Sequence, residues 1–313
     1  MNDTNKKIAV VGTGVIGASW AACFLSKGYD VAATDPAPGA EARLRKLVRT
    51  YWPTLERMGM ADDASVARLS FHESPEVAVQ DAIFIQESGP ERVDVKRATL
   101  AQISAAAPAD TLIATSSSGI PASQIQDAAV HPERVLIGHP FNPPHLIPLV
   151  EVVGGHLTSA QAIEQAMSFY ESLGKKAIHI RREVKGHVAN RLQAALWREA
   201  FHLVQEGVVS VSDIDAAIAH GPGLRWALLG PFLNVHLSGG EGGIQHFLEH
   251  LGPPVEEWWA DLGQIKLNPE LNKLLVAGVD QELGTANLGD MVAQRDELLL
   301  TLLKLKAQAN LLP

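Results

Sequence analysis

The sequence predicts an α/β protein: a Rossmann-type doubly wound parallel sheet over residues 1–183, then an all-helical region over residues 184–313. Three observations predict it. Short apolar runs alternate with helical patterns in the first part, a glycine-rich turn joins the first run to the first helix, and strand patterning fades near Ile178–Arg182. At about 150 residues per domain, 313 residues suit two such units.

Ile8-Ala9-Val10-Val11 reads as a short buried strand, interrupted by Gly12–Gly17 and followed by an apolar helix through Leu25 that stops at Gly28. Asp30–Asp35 reads as the second strand. A charged helix follows over Ala40–Arg57, with Arg43, Arg45, Lys46 and Arg49 on a solvated face. Further strands are expected at Ala82–Gln86, Leu112–Thr115, Val135–Ile137 and Leu149–Val153. Beyond Val184 the long amphipathic stretches are Val188–Val204, Val211–Ala219, Gly242–Leu251 and Met291–Gln308. No internal repeat or low-complexity tract interrupts them.

Composition narrows the function classes. With 46% apolar and 19% charged residues the chain builds a folded core. Its 26 basic residues stand against 35 acidic ones, a formal charge of −9, which argues against a nucleic-acid surface or an anionic-membrane anchor. The single cysteine, Cys23, excludes an internal disulfide and a cysteine-type zinc site. Lys6 and Lys7 before the uncharged stretch Ile8–Leu25 imitate a secretory leader, but three glycines and Thr13 break its apolar character. The expectation is a cytoplasmic protein.

Gly12-Thr13-Gly14-Val15-Ile16-Gly17 is G-x-G-x-x-G between a strand and a helix. The first glycine permits the tight turn, the second lets backbone approach a pyrophosphate, and the third lets the helix pack on the strand. The amides that open the helix, at Val15 and Ile16, offer free N–H groups to a diphosphate. Asp35 ends the second strand eighteen residues beyond Gly17, where a carboxylate takes ribose hydroxyls and repels a 2′-phosphate. This predicts NAD rather than NADP.

His139 follows the strand Val135–Ile137, at the carboxyl end where open α/β sheets place their ligands. Glu151 stands twelve residues on, in the next strand. Such a pair serves as base and orienter for an alcohol oxidation. Asn190, Ala194, Trp197 and Phe201 recur on one helical face, a stripe that suits either a quaternary ammonium held by cation–π contact or a buried seam. Trp258-Trp259 reads as core or interface filler. His145 stands in the loop after His139 and either touches substrate or lies exposed. His246 and His250 do not reproduce a metal-binding order, so no metal is expected.

The chain resembles the 3-hydroxyacyl-CoA dehydrogenase superfamily over nearly its whole length. The family's His-x-Phe-Asn-Pro is met by His139-Pro140-Phe141-Asn142-Pro143, and its Leu-Val-Glu by Leu149-Val150-Glu151. The resemblance implies His139 and Glu151 as catalytic pair, Asn142 in the substrate pocket, and Asn190 of Asn190-Arg191 on the reacting oxygen. The family's Thr-Ser-Ser segment matches Ala114–Ser118, which points to Ser118 as the substrate serine with Ser117 as the alternative alignment. Glu91 and Lys96 correspond to the family's Glu-x-x-x-x-Lys beside the nicotinamide. Gly223–Ala227 and Gly230-Pro231-Phe232 are similar to the carnitine dehydrogenase and lambda-crystallin (L-gulonate dehydrogenase) branches. Trp197-Arg198-Glu199-Ala200 and Gly239–Gly243 are most like the former. Two positions depart from the pattern. Asn190 stands where the carnitine branch has Asp, and Lys185-Gly186-His187 replaces the usual Pro-Gly-Phe. The resemblance thus implies oxidation of the 3-hydroxyl of a short L-3-hydroxy acid by a homodimer joined through its helical part, and the helical-face stripe adds Trp197 and Phe201 as candidates to face substrate. The alternatives are an L-3-hydroxyacyl-CoA thioester as substrate, or a crystallin-like structural or NAD-sensing role.

Overall fold

A computed structural model describes residues 6–309. Its first compact unit ends at Arg191 and its second begins at Leu192.

The first unit is built on eight strands: β1 (Lys7–Val11), β2 (Asp30–Thr34), β3 (Leu69–Phe71), β4 (Phe84–Glu87), β5 (Leu112–Thr115), β6 (Val135–Pro140), β7 (Leu149–Gly154) and β8 (Lys176–Ile180). They lie in the order β3-β2-β1-β4-β5-β6-β7-β8. The first six are parallel and reverse direction of travel between β1 and β4, the crevice in which doubly wound sheets bind ligands. Five helices belong to this unit: α1 (Val15–Ser26), α2 (Ala40–Met58), α3 (Pro75–Val79), α4 (Val93–Ala106) and α5 (Ala160–Ser172). Ten of the twelve residues of α1 are buried, and Trp20, Phe24 and Leu25 pack with Phe84 and Tyr170 in one apolar cluster. A helix so apolar all round suits only an interior position. A second cluster, including Ile85, Leu100, Ile103 and Ile113, packs α4 on the opposite face.

The expected parallel sheet holds through β6 and then changes. β7 runs antiparallel to β6, and β8 is parallel to β7. Only eight residues separate Pro140 from Leu149, too few for a parallel crossover, which takes a dozen or more. β3 and β8 add strands beyond the six that the sequence suggests.

The second unit is helical. α6 (Ala189–Gln205) opens just before its boundary, followed by α7 (Val211–His220), α8 (Pro222–Trp226), α9 (Pro231–Ser238), α10 (Gly243–Asp261), α11 (Pro269–Leu283) and α12 (Leu288–Gln308). The compact first unit reaches eight residues past the expected boundary at 183. The reason is local: residues 187–189 hydrogen-bond to Ser117 and Glu151 of the sheet unit. Among the described residues no helix is long and apolar enough to cross a membrane.

Candidate active site

The glycine turn has the shape its sequence demands. Gly12 sits at φ +89°, in the left-handed region, and a Cβ there would stand 2.7 Å from the Gly89 amide nitrogen. A Cβ on Gly17 would stand 1.9 Å from the Gly12 carbonyl oxygen, so α1 packs on β1 only without one. Gly14 differs: a Cβ there would meet no protein atom within 4 Å. The backbone at Gly14 therefore leaves open room where a diphosphate would approach, and the amides of Val15 and Ile16 open α1 beside it. At the end of β2, Asp35 Oδ2 accepts from the Thr13 amide at 2.7 Å and the Thr13 hydroxyl at 3.1 Å, while Oδ1 accepts from the Ala37 amide at 2.9 Å. Three of its roughly four acceptor positions are filled, leaving capacity for a ribose hydroxyl. These residues fit a dinucleotide.

The chain links this turn to the ends of the neighbouring strands. The Ser88 amide donates to the Val11 carbonyl at 2.7 Å, the Ser116 amide to the Glu87 carbonyl at 2.7 Å, and the Ser88 and Ser116 hydroxyls meet at 2.9 Å. Beneath them Lys96 and Glu87 form an ion pair at 2.8 Å, each 1% exposed. Lys96 also donates to the Thr115 hydroxyl at 3.2 Å. Lys96, expected beside the nicotinamide, thus directs its ammonium inward and ties β4 to β5. Glu91 is partly exposed. Its Oε1 accepts from the Ser117 hydroxyl at 2.7 Å and from the amides of Gly119 and Ile120 at 2.8 and 3.1 Å. Burial raises the Glu91 carboxyl, but these hydrogen bonds and the Lys96 charge together hold it below the usual carboxylate range. Of the two aligned serines, Ser117 is buried with its hydroxyl spent on Glu91 and Ile120, whereas Ser118 is exposed at the turn.

His139 and Glu151 face each other across the antiparallel β6–β7 pair, in direct register. His139 Nδ1 lies 2.8 Å from Glu151 Oε2, with the ring 6% and the carboxylate 0% exposed. The second oxygen, Oε1, accepts from the Val188 and Ala189 amides, each at 2.9 Å. Burial pushes the Glu151 carboxyl up; the hydrogen bonds from His139, Ala189 and Val188 outweigh it and hold the group below its ordinary range. An ionised carboxylate only accepts, so the His139 proton sits on Nδ1 and Nε2 keeps a free lone pair. That arrangement gives a proton acceptor with its tautomer fixed. Behind it, Gly138 has no room for a side chain, because a Cβ would stand 2.0 Å from the Tyr170 hydroxyl. That hydroxyl donates to Gln86 Oε1 at 2.7 Å, and Gln86 Nε2 donates to Ser116 at 2.9 Å, so a buried polar chain backs the site.

Asn190 is half-buried at the start of α6, directly after the two amides that bind Glu151. Asn142 is exposed in the loop after β6. His145 corrects the expectation of an exposed or substrate-facing loop residue: it is 4% exposed, its amide and Nδ1 engage the Ser19 hydroxyl at 2.7 and 2.8 Å, and its ring stacks on Tyr51. Trp197 and Phe201 lie in the helical unit, where with residues of α7 and α11 they line a mostly apolar cavity of about 580 Å³ that also carries Asp215 and Asp280. In the sequence His187 is only a departure from Pro-Gly-Phe, yet its ring lies 4.9 Å from that of His139. Among the described residues no three metal-ligating side chains cluster.

Comparison with known proteins decides the family. Residues 7–184 match the NAD-binding domain of 3-hydroxyacyl-CoA dehydrogenase, and residues 186–269 match its C-terminal domain. The chain belongs to the 3-hydroxyacyl-CoA dehydrogenase family. This family member is 52% identical to an L-carnitine dehydrogenase of Streptomyces coelicolor over 93% of its own length and 92% of the relative's. It is 48% identical to one of Pseudomonas aeruginosa, covering 95% and 93% of the two chains. Among solved structures, an NAD+-dependent 5-formyl-3-hydroxy-2-methylpyridine 4-carboxylic acid 5-dehydrogenase superposes with a TM-score of 0.83 at 26% identity, over 97% of this chain and 99% of that one. This member of the 3-hydroxyacyl-CoA dehydrogenase family is an NAD-dependent oxidoreductase.

Proposed function

We propose that this dehydrogenase oxidises the 3-hydroxyl of L-carnitine to the 3-oxo acid, with His139 as general base. The observation that carries the base assignment is the 2.8 Å bond between His139 Nδ1 and Glu151 Oε2, whose other oxygen is gripped by two backbone amides. The identity of about half to carnitine dehydrogenases along nearly the full chain supports the choice of substrate.

Gly12, Gly14, Gly17, the amides of Val15 and Ile16, and Asp35 hold the cofactor on this reading, with Glu91 and Lys96 fixing the nearby turn. NAD, when bound, supplies the hydride acceptor. The chain's own residues manage the proton. His139 Nε2 takes it from the substrate hydroxyl, and Glu151 stabilises the imidazolium that results. Ser118 and Asn190 hold the oxygen as it becomes a carbonyl, and Asn142 closes the same pocket.

Turnover with L-carnitine, L-gulonate and 3-hydroxybutyryl-CoA, each with NAD, tests the substrate. Fast NADH formation from carnitine is expected, and turnover of the thioester alone would overturn the choice.

A further inference from the structure

We propose that His187 is a positioning residue of this dehydrogenase, a clip that holds the Ser117–Ser118 turn against the His139–Glu151 pair. The proposal rests on the reading of His139 as base.

Three features of His187 act together. Its backbone stands at φ +51°, a left-handed conformation uncommon for histidine, and the next two amides, of Val188 and Ala189, are the ones that grip Glu151 Oε1. Its Nε2 lies 3.0 Å from the Ser117 carbonyl. A carbonyl only accepts, so the ring proton sits on Nε2 and Nδ1 presents a bare lone pair. The ring is 3% exposed, and Nδ1 is buried without a partner. One side chain therefore joins the turn that carries Ser118 to the segment that orients Glu151, 4.9 Å from the His139 ring. Phenylalanine, usual in the family at this place, fills similar volume but donates nothing to Ser117.

The surroundings also keep the clip neutral while the base charges. His139 faces it from β6, Glu151 from β7 and Glu91 from the segment after β4. Burial pushes the His187 imidazole down and the His139 charge pushes the same way, against the Ser117 carbonyl and the two carboxylates; the net direction is downward. His139 thus takes up the substrate proton with no second cation beside it.

Steady-state oxidation by the full chain, with NAD and L-carnitine or whichever of the three substrates above turns over, tests this in His187→Phe, His187→Gln and His139→Asn. His187→Phe is expected to lower kcat about tenfold, the scale of one buried hydrogen bond, with KM for NAD within about twofold. His187→Gln, whose amide reaches as far as Nε2, recovers most of that loss. A His187→Phe rate within about twofold of the parent, or a glutamine variant no better than phenylalanine, would each overturn the inference. If His187→Phe fails to fold, as judged by NADH binding and thermal melting, His187→Gln is set against His187→Leu, and a glutamine variant no faster than the leucine one overturns it. Full turnover by His139→Asn would sink the base assignment itself, whereas an inactive His139→Asn beside a fully active His187→Phe sinks only the clip.

Discussion

On the proposed reading His139 is the base, and Glu151, with both oxygens engaged, fixes which ring nitrogen carries its proton. Replacing that carboxylate should therefore damage catalysis almost as much as removing the imidazole. Glu151→Gln keeps the shape of the side chain but loses the negative charge and the obligate acceptor. We expect kcat to fall about 10²–10⁴-fold, the scale seen when a histidine's orienting carboxylate becomes an amide. Circular dichroism and NADH binding should remain those of the parent, and a loss under about fivefold would refute the orienting role. The candidate pair was legible in the sequence, as a strand-end histidine with a glutamate twelve positions on in the next strand, but its direct register across an antiparallel pair was not. His187 was not legible as a neighbour. Only a left-handed turn brings it to His139, and one-dimensional spacing carries no sign of that turn.

At the scale of the elements, the turn between β1 and α1 separates two uses of glycine. Gly17→Ala drives a methyl into the Gly12 carbonyl, so the helix must leave the sheet and the fold should suffer. Gly14→Ala meets open space instead. We expect Gly14→Ala to melt within about 1–2 °C of the parent but to bind NADH at least about tenfold more weakly, because the methyl occupies the diphosphate's approach. Fluorescence titration against a melting curve checks both halves; unchanged NADH affinity would remove Gly14 from the cofactor site. The strands β1, β2, β4, β5, β6 and β7 were readable because each holds or adjoins a short, mostly apolar run, as strands buried on both faces require. β3 was not: three residues, Leu69–Phe71, hold too little pattern to register. β8 was missed because Lys176-Ala177-Ile178-His179-Ile180 is neither a continuous apolar run nor a strict alternation of apolar and polar residues. The reversal of β7 did have a signal, the eight-residue loop before it, but apolar runs state no direction.

For the whole molecule, acid stability and association follow from burial. The Glu151 carboxyl is held below its ordinary range, so its contribution to stability is intact above the unfolded value and disappears as pH falls through the folded one. His187 acts in the same sense from a higher starting point. Its imidazole is depressed below 6.5, so the folded state loses ground as pH drops under that value, where the unfolded chain takes the proton more readily. The helical unit presents Phe232 at 77%, Trp259 at 67% and Trp258 at 60% exposure, with Leu224, Leu237 and Leu298 also largely open. So many large apolar side chains on one small unit exceed what an isolated surface carries without a role. We propose that a second copy of the chain covers them, since a stable interface needs about 800 Å² from each partner and aromatic anchors supply such area efficiently. Sedimentation at micromolar concentration should then give twice 33.6 kDa. Trp259→Lys, a cation placed in the seam, should shift the equilibrium to the single chain while leaving the far-ultraviolet circular dichroism intact. A native protein that sediments at 33.6 kDa across the micromolar range would leave those aromatics to another partner and refute the dimer.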